Sequence, residues 1–345
     1  MNSASAPRHA PTFWRRRSWR AAALLPLAAL FRFVAALRRW LYRHDFLRRE
    51  RLSVPVVVVG NVAVGGSGKT PVVAWLAEEL LKAGRHPGIV SRGYGGAGGA
   101  DGKPILVDKD SDPARCGDEP VLLARLTGCP VAVGSDRPAA ARALLARHPE
   151  CDVIVADDGM QHYRLARRLE IAVVDEAALG NCWPLPAGPL REPLSRLAEV
   201  DLVLAHGELS PTVRAAAGAT PIAAMALVGE RFRSLTRPDE WRDAASFAGQ
   251  RVHAVAGIGR PERFFATLAA LGIDAVPHPF PDHYAYRAED LAFAPGEAKL
   301  MTAKDAVKCA AFAPPDAWEL PVRATIGADV VGPLLEKLDD GRQTA

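Results

Sequence analysis

The stretch "AVGGSGKT", Ala63 to Thr70, combines residue types that can hold a phosphate. Gly65, Gly66 and Gly68 carry no side chain, so backbone N–H groups can turn inward around phosphate oxygens. Lys69 offers a cation to the β- and γ-phosphates, and the Thr70 hydroxyl is suited to ligate Mg²⁺. A helix opening at this point adds the partial positive charge of its N-terminus. Ala63, Val64, Gly65, Gly66, Ser67, Gly68, Lys69 and Thr70 therefore read as the cradle of a nucleoside triphosphate, ATP with Mg²⁺. The strict pattern asks for glycine first; Ala63 is small enough to leave the cradle intact.

Phosphate chemistry at such a loop also needs carboxylates. "CDVIVADDGMQH" supplies Asp157 and Asp158 at the end of an apolar run, where either can bind Mg²⁺ directly or through water. "RCGDEPVLLARL" places Asp118 and Glu119 just before an amphipathic stretch. Taken alone they favour the start of a helix, with Pro120 behind them. "SRGYGGAGGADGK" (91–103) reads as a surface loop or, more sharply, a lid in which Arg92 reaches charge on an acceptor. In "TAKDAVKC", Thr302 and Asp305 make a capping box, leaving Lys304 and Lys308 for a substrate that carries phosphate. "PAGPLREP" is a proline-rich turn in which Arg191 is the residue to test. His283 alone is an ordinary loop histidine, and no HExxH or other metal-ligand spacing occurs.

These residues need elements to position them. "VPVVVVG" (54–60) predicts a buried parallel strand, and "TPVVAWLAEELLKAG" predicts a helix ending near Gly84. Strand, glycine loop and helix in that order is the context that makes a phosphate loop credible. Further β-branched runs at 89–91, 105–107, 131–133, 153–156, 171–174 and 202–205 alternate with helical stretches. The fold class expected is α/β: a P-loop NTPase-type doubly wound parallel sheet, a second, smaller α/β domain, and an N-terminal amphipathic helix. The expected divisions are a basic arm over 1–51, a kinase domain over 52–206, a linker over 207–238, and a second domain over 239–345 closing on the acceptor. "GIGRPERF" reads there as a helix start or an acceptor contact.

Charge is uneven along the 345 residues. Residues 1–51 hold twelve arginines, no lysine and two acids, a net of +10 within a chain of +4, so the remainder is acidic. A basic arm on an acidic body argues against nucleic acid and for anchoring at an anionic surface. The longest uncharged run in the arm, 21–31, is too short to span a bilayer and contains Pro26. More arginines follow it instead of a small-residue cleavage site. Leu27, Leu30, Val34, Leu37 and Leu41 share one helical face, with Arg32, Arg39 and Arg43 opposite. The pattern predicts a helix lying in a membrane interface with its arginines toward headgroups. Five cysteines without a CxxC pair point to a reducing compartment.

With "GNVAVGGSGKTP", "SRGYGG", "GDEP", "DDGMQH", "PAGPLREP", "DHY" (282–284) and "TAKDAVKC" in this order, the sequence resembles the tetraacyldisaccharide 4′-kinases, the lipid A 4′-kinases of Gram-negative bacteria. The resemblance spans roughly the arm to Lys308. It implies transfer of the ATP γ-phosphate to the 4′-hydroxyl of a tetraacylated glucosamine disaccharide 1-phosphate, giving lipid IVA, at the cytoplasmic face of the inner membrane. It makes Asp118 the candidate general base, paired with His283, and Glu119, Asp157, Asp158 and His162 the metal-binding and positioning set. Two rivals rank lower. A membrane-associated P-loop switch would carry lysine before the paired glycines, where Val64 stands. A kinase or ligase acting on a soluble substrate would not need the basic helix.

Overall fold

Every residue of β1 (Val56–Gly60) is buried, which is why its sequence is an unbroken apolar run rather than an alternating one. Val56 and Val58 enter one apolar layer and Val57 and Val59 another, so this sheet is covered on both faces. The computed structural model describes residues 11–93, 96 and 103–340. Ahead of β1 lie α1 (Trp19–Ala23) and α2 (Leu25–Arg43). After it come α3 (Lys69–Lys82), β2 (Pro87–Ser91), β3 (Ile105–Val107), α4 (Pro113–Cys116), α5 (Asp118–Thr127), β4 (Val131–Val133), α6 (Arg137–Arg147) and β5 (Val153–Asp157). β6 (Leu169–Asp175), α7 (Glu176–Leu179), β7 (Leu202–His206), α8 (Pro211–Ala217) and β8 (Ile222–Val228) follow.

The chain then builds a second sheet from β9 (Arg231–Ser234), β10 (Trp241–Asp243), β11 (Val252–Ala256), β12 (Ala275–Pro279), β13 (Ala298–Thr302) and β14 (Ala317–Leu320). Here α9 (Pro261–Ala270) links β11 to β12, and α10 (Ala303–Cys309) links β13 to β14. Finally β15 (Arg323–Ile326) and α11 (Val331–Asp339) return to the first half. The first sheet has the order β15-β8-β7-β6-β1-β5-β2-β4-β3 and the second β10-β9-β14-β13-β11-β12. The first is parallel except at its edges, where β3 runs against β4 and β15 against β8. The chain winds to one side of β1 through β5 and to the other from β6 onward. The switch therefore falls at β1, where open α/β sheets bind ligands at the carboxyl ends of their strands.

Two expectations need correction. Residues 207–238 do not form a linker: α8 and β8 extend the first sheet, and β9 opens the second. Pro221 and Gly229 bracket the run Ile222–Val228 and read as loop punctuation, and the strand is only partly buried. Nor does everything after 239 belong to the second sheet. β15 pairs with β8, and Leu338 of α11 joins the apolar cluster of Val57.

The arm is helical, as its period predicts, with its apolar stripe outward, but two of the three arginines opposite do not point to a headgroup layer. Arg39 pairs with Glu199, and Arg43 lies 3.6 Å from the same carboxylate, so both turn toward the protein body instead of a headgroup layer. Ala28, fully buried, lies on that docked side. Leu27, Leu30, Phe33, Val34 and Leu37 are left in solvent on the opposite face. The acidic body explains this, because the arginines find carboxylates at home. Among the described residues no helix is long and apolar enough to cross a membrane.

Candidate active site

The phosphate loop hangs between β1 and α3. Gly65 and Gly68 take φ of 115° and 87°, a region closed to most side chains. A Cβ on Gly68 would also press to 3.3 Å on Leu227 and Met225. Gly68 caps α3 without a side-chain bond, so the first-turn amides are left for a ligand. Asn61 braces the loop from within, its Nδ2 donating to Ser67 Oγ at 3.2 Å and to the Gly65 carbonyl at 3.4 Å. The two leading positions behave differently from the expectation. Val64 N donates to the Pro189 carbonyl at 2.8 Å, and buried Ala63 bridges to Leu190, so neither turns to a phosphate. Thr70 lines the cleft beside Lys69.

The carboxyl end of β5 brings Asp157 and Asp158 to this loop. Lys69 Nζ lies 3.4 Å from Asp158 Oδ1, and Arg191 Nη1 lies 3.0 Å from Asp158 Oδ2. Burial alone would raise Asp158, but Lys69 and Arg191 outweigh it and hold the carboxyl down at about 2. Asp157 is buried and accepts from Ser91 Oγ at 3.0 Å. Burial, with Glu119 and Asp158 nearby, pushes Asp157 up to about 7. A carboxylate crowded by two others in a buried place is a group that wants a cation. The donors here are all hard oxygens, which suits Mg²⁺. Among the described residues no three His, Cys, Asp or Glu side chains are gathered to hold a metal ion by themselves, so these carboxylates would need the oxygens of a bound phosphate beside them.

Asp158 adopts φ 47°, an uncommon conformation for aspartate. Arg137, buried at the start of α6, donates to its carbonyl at 3.4 and 3.5 Å, and Arg137 Nε has no partner among the described residues. Burial and the neighbouring Arg137 lower His162 to about 4, so it is neutral at pH 7. Sequence reasoning missed Arg137, whose position in an ordinary "SDRP" helix start gives no signal.

The first turn of α5 carries Asp118, only 4% exposed. Its carboxylate does not act as a helix cap alone but meets His283, whose Nδ1 lies 3.1 and 3.2 Å from the two oxygens. Burial would raise Asp118; the His283 bond and the charges of Lys304 and Lys308 prevail and lower it. Lys304 Nζ lies 3.4 Å from His283 Nε2 and 3.1 Å from Glu119 Oε1. Since an ammonium only donates, Nε2 accepts, and Nδ1–H is left to donate to Asp118. His283 itself takes φ 56°, a second strained residue at the site. The sequence left Lys304 and Lys308 for a substrate phosphate. Carboxylates engage both: Lys304 at Glu119 and Asp282, Lys308 at Asp305, 2.8 Å away.

All of this faces one cleft of about 1670 Å³, lined by Lys69, Thr70, Arg92, Glu119, Asp157, Asp158, Arg191, His283 and Lys304. Asp118 stands behind His283. His162 lies behind the same loop, bonded through its carbonyl to Arg167. The cleft continues to Phe31, Val34 and Ala35 of α2, so the phosphate loop and the amphipathic arm share one space. The glycine-rich stretch read as a lid lies, apart from its ends and Gly96, outside the described residues.

The chain matches the family described as LpxK, tetraacyldisaccharide-1-P 4′-kinase, over residues 20–339. It is 62% identical to the tetraacyldisaccharide 4′-kinase of Azoarcus sp. over 97% of both chains. It is 61% identical to that of Aromatoleum aromaticum over 98% of this chain and 99% of the other. The crystal structure of the "apo" form of LpxK from Aquifex aeolicus in complex with ATP aligns with a TM-score of 0.76 at 28% identity. That alignment covers 92% of this chain and 98% of that one.

Proposed function

Because the chain belongs to the tetraacyldisaccharide-1-P 4′-kinase family and carries out its kinase step in lipid A biosynthesis, we propose that the phosphate loop, the β5 aspartates and the Asp118–His283 pair divide that reaction between them. The loop amides of Gly65 to Thr70 and the Lys69 ammonium hold the ATP phosphates. Phosphoryl transfer asks little covalent chemistry of a protein and much positioning and charge stabilisation. Asp118 and His283 receive the proton of the acceptor 4′-hydroxyl. His283 presents Nε2 to the cleft, and Asp118 fixes its tautomer and balances the charge it gains. Lys304 donates to that same Nε2 and turns to Glu119 and Asp282, its other partners, when the acceptor hydroxyl takes its place.

Thr70, Asp157, Asp158 and Glu119 would hold Mg²⁺. When bound, the ion neutralises charge on the phosphates, and its loss would leave Asp157 in the unfavourable crowd described above. Arg191 keeps Asp158 ionised and aimed at the loop. Arg92 reaches the acceptor. The observation that carries the reading is the shared cleft, lined by Lys69, by His283 and by both apolar and arginine side chains of the amphipathic α2.

The acceptor carries four acyl chains, and the solvent-exposed stripe of α2 meets them at the membrane. Association is peripheral, at the cytoplasmic face of the inner membrane, with the apolar stripe inserted and Arg39 and Arg43 held by the body. Incubation with γ-labelled ATP, Mg²⁺ and the tetraacyldisaccharide 1-phosphate tests the whole. Label should appear in a bis-phosphorylated lipid and disappear when Mg²⁺ is chelated. Label released only as inorganic phosphate, in equal amounts with and without acceptor, would contradict it.

A further inference from the structure

The first and second sheets are joined by one narrow ribbon. The chain crosses between them twice, after β8 and before β15, and these two strands pair, Val228 opposite Arg323. At Gly229 the crossings touch: a Cβ there would lie 2.7 Å from the Pro321 carbonyl oxygen. A short ribbon flanked by an interdomain cleft is the geometry of a hinge.

The two flanks of the cleft are fastened differently. On the α5 flank, Ala303 and Val307 of α10 join the same buried apolar cluster as Val121 and Leu123 of α5, and His283 and Lys304 add charged contacts to Asp118 and Glu119. On the other flank the fastening is charge. Asp175 stands at the carboxyl end of β6, which pairs with β1 on the side away from β5, so it borders the phosphate loop opposite Asp157 and Asp158. It is 3% exposed and caps α7 by accepting from Ala177 N at 3.1 Å. From the second sheet, Arg260 Nη1 reaches its Oδ2 at 3.2 Å, and Arg263 reaches both oxygens, at 2.8 and 2.6 Å. Both arginines line the cleft with the phosphate loop. Two guanidinium groups on one buried carboxylate make a strong joint that a neutral replacement of the carboxylate would undo.

We propose that Asp175 is a latch that grips Arg260 and Arg263 and so holds the second sheet down over the nucleotide, its release governing how fast nucleotide leaves. The proposal rests on the kinase reading of the loop. Asp175 is a positioning residue: it acts through the arginines on α9 and touches no reacting atom.

Asp175→Asn separates the latch from the cap, since asparagine caps a helix as well as aspartate does. Stopped-flow release of a fluorescent ATP analogue from the full chain is the readout. The variant should release nucleotide faster by on the order of tenfold or more, the range that close interfacial charge pairs support. Arg260→Gln/Arg263→Gln should reproduce the acceleration, and combining it with Asp175→Asn should add nothing further. Wild-type release rates in the variant at low salt, or effects that add independently, would overturn the latch. Failure of the wild type to bind the analogue at all would instead remove the kinase reading and the latch with it.

Discussion

In the proposed reaction the phosphate chemistry turns on Lys69, the cation of the glycine loop. Lys69→Ala should lower turnover by on the order of 10²–10³, the cost typical of losing one preorganised charge contact in a site that excludes water. Near-normal turnover would leave the loop without its assigned role. His162 offers a test through stability. Its folded pKa of about 4 lies below the ordinary 6.5, so it folds neutral. The unfolded chain takes up that proton below about pH 6.5, whereas the folded one waits until about pH 4. His162 therefore contributes full stability above pH 6.5 and loses it progressively toward pH 4. The urea midpoint of the wild type should fall between pH 7 and pH 5 more than that of His162→Gln; parallel curves would contradict the buried, neutral imidazole. Much at this scale was readable in advance. The glycines, Lys69 and the paired aspartates declare themselves by type and spacing. Asp118 and His283 do not, because 165 positions separate them and only folding joins them. The motifs shared with the kinase family supplied that pair. Nothing in the sequence marked Asp175, and "GIGRPERF", which holds Arg260 and Arg263, read only as a helix start or an acceptor contact; their meeting depends on how two sheets face each other.

At the scale of elements, β1 was legible because it is buried throughout and writes that condition into an unbroken apolar run, and α3 because its buried face recurs at helical spacing after the glycine loop. β8 and β15 were not. One is half exposed between a proline and a glycine, and the other is a four-residue edge strand that pairs with a partner about a hundred positions earlier. The arm was legible as an amphipathic helix but not in where its arginines point, since the period fixes which residues share a face and not which face meets the body. Its outward stripe makes a prediction. Leu30→Glu with Leu37→Glu alters two exposed side chains and should leave stability within about 0.5 kcal/mol of wild type. The same pair of changes should abolish sedimentation with anionic vesicles and raise KM for vesicle-presented acceptor. Unchanged sedimentation would mean that the stripe is not the membrane contact.

At the scale of the whole molecule, one cleft must bring a nucleotide held by the first sheet to a proton acceptor shared between both sheets. Asp118 comes from the first sheet's α5 and His283 from the second half, so the proposed base is complete only when the halves meet. The ribbon at Gly229 sets that meeting. Gly229→Val would drive a side chain into the Pro321 carbonyl and should cost on the order of 1–3 kcal/mol, read as a lower urea midpoint, with a larger loss of turnover as the dyad parts. The most direct measurement of the central claim is single-turnover phosphoryl transfer by Asp118→Asn with nucleotide affinity determined on the same protein. The account predicts a chemical step slower by on the order of 10²–10⁴ with nucleotide affinity essentially unchanged. A normal chemical step, or a loss explained by nucleotide affinity alone, would contradict it.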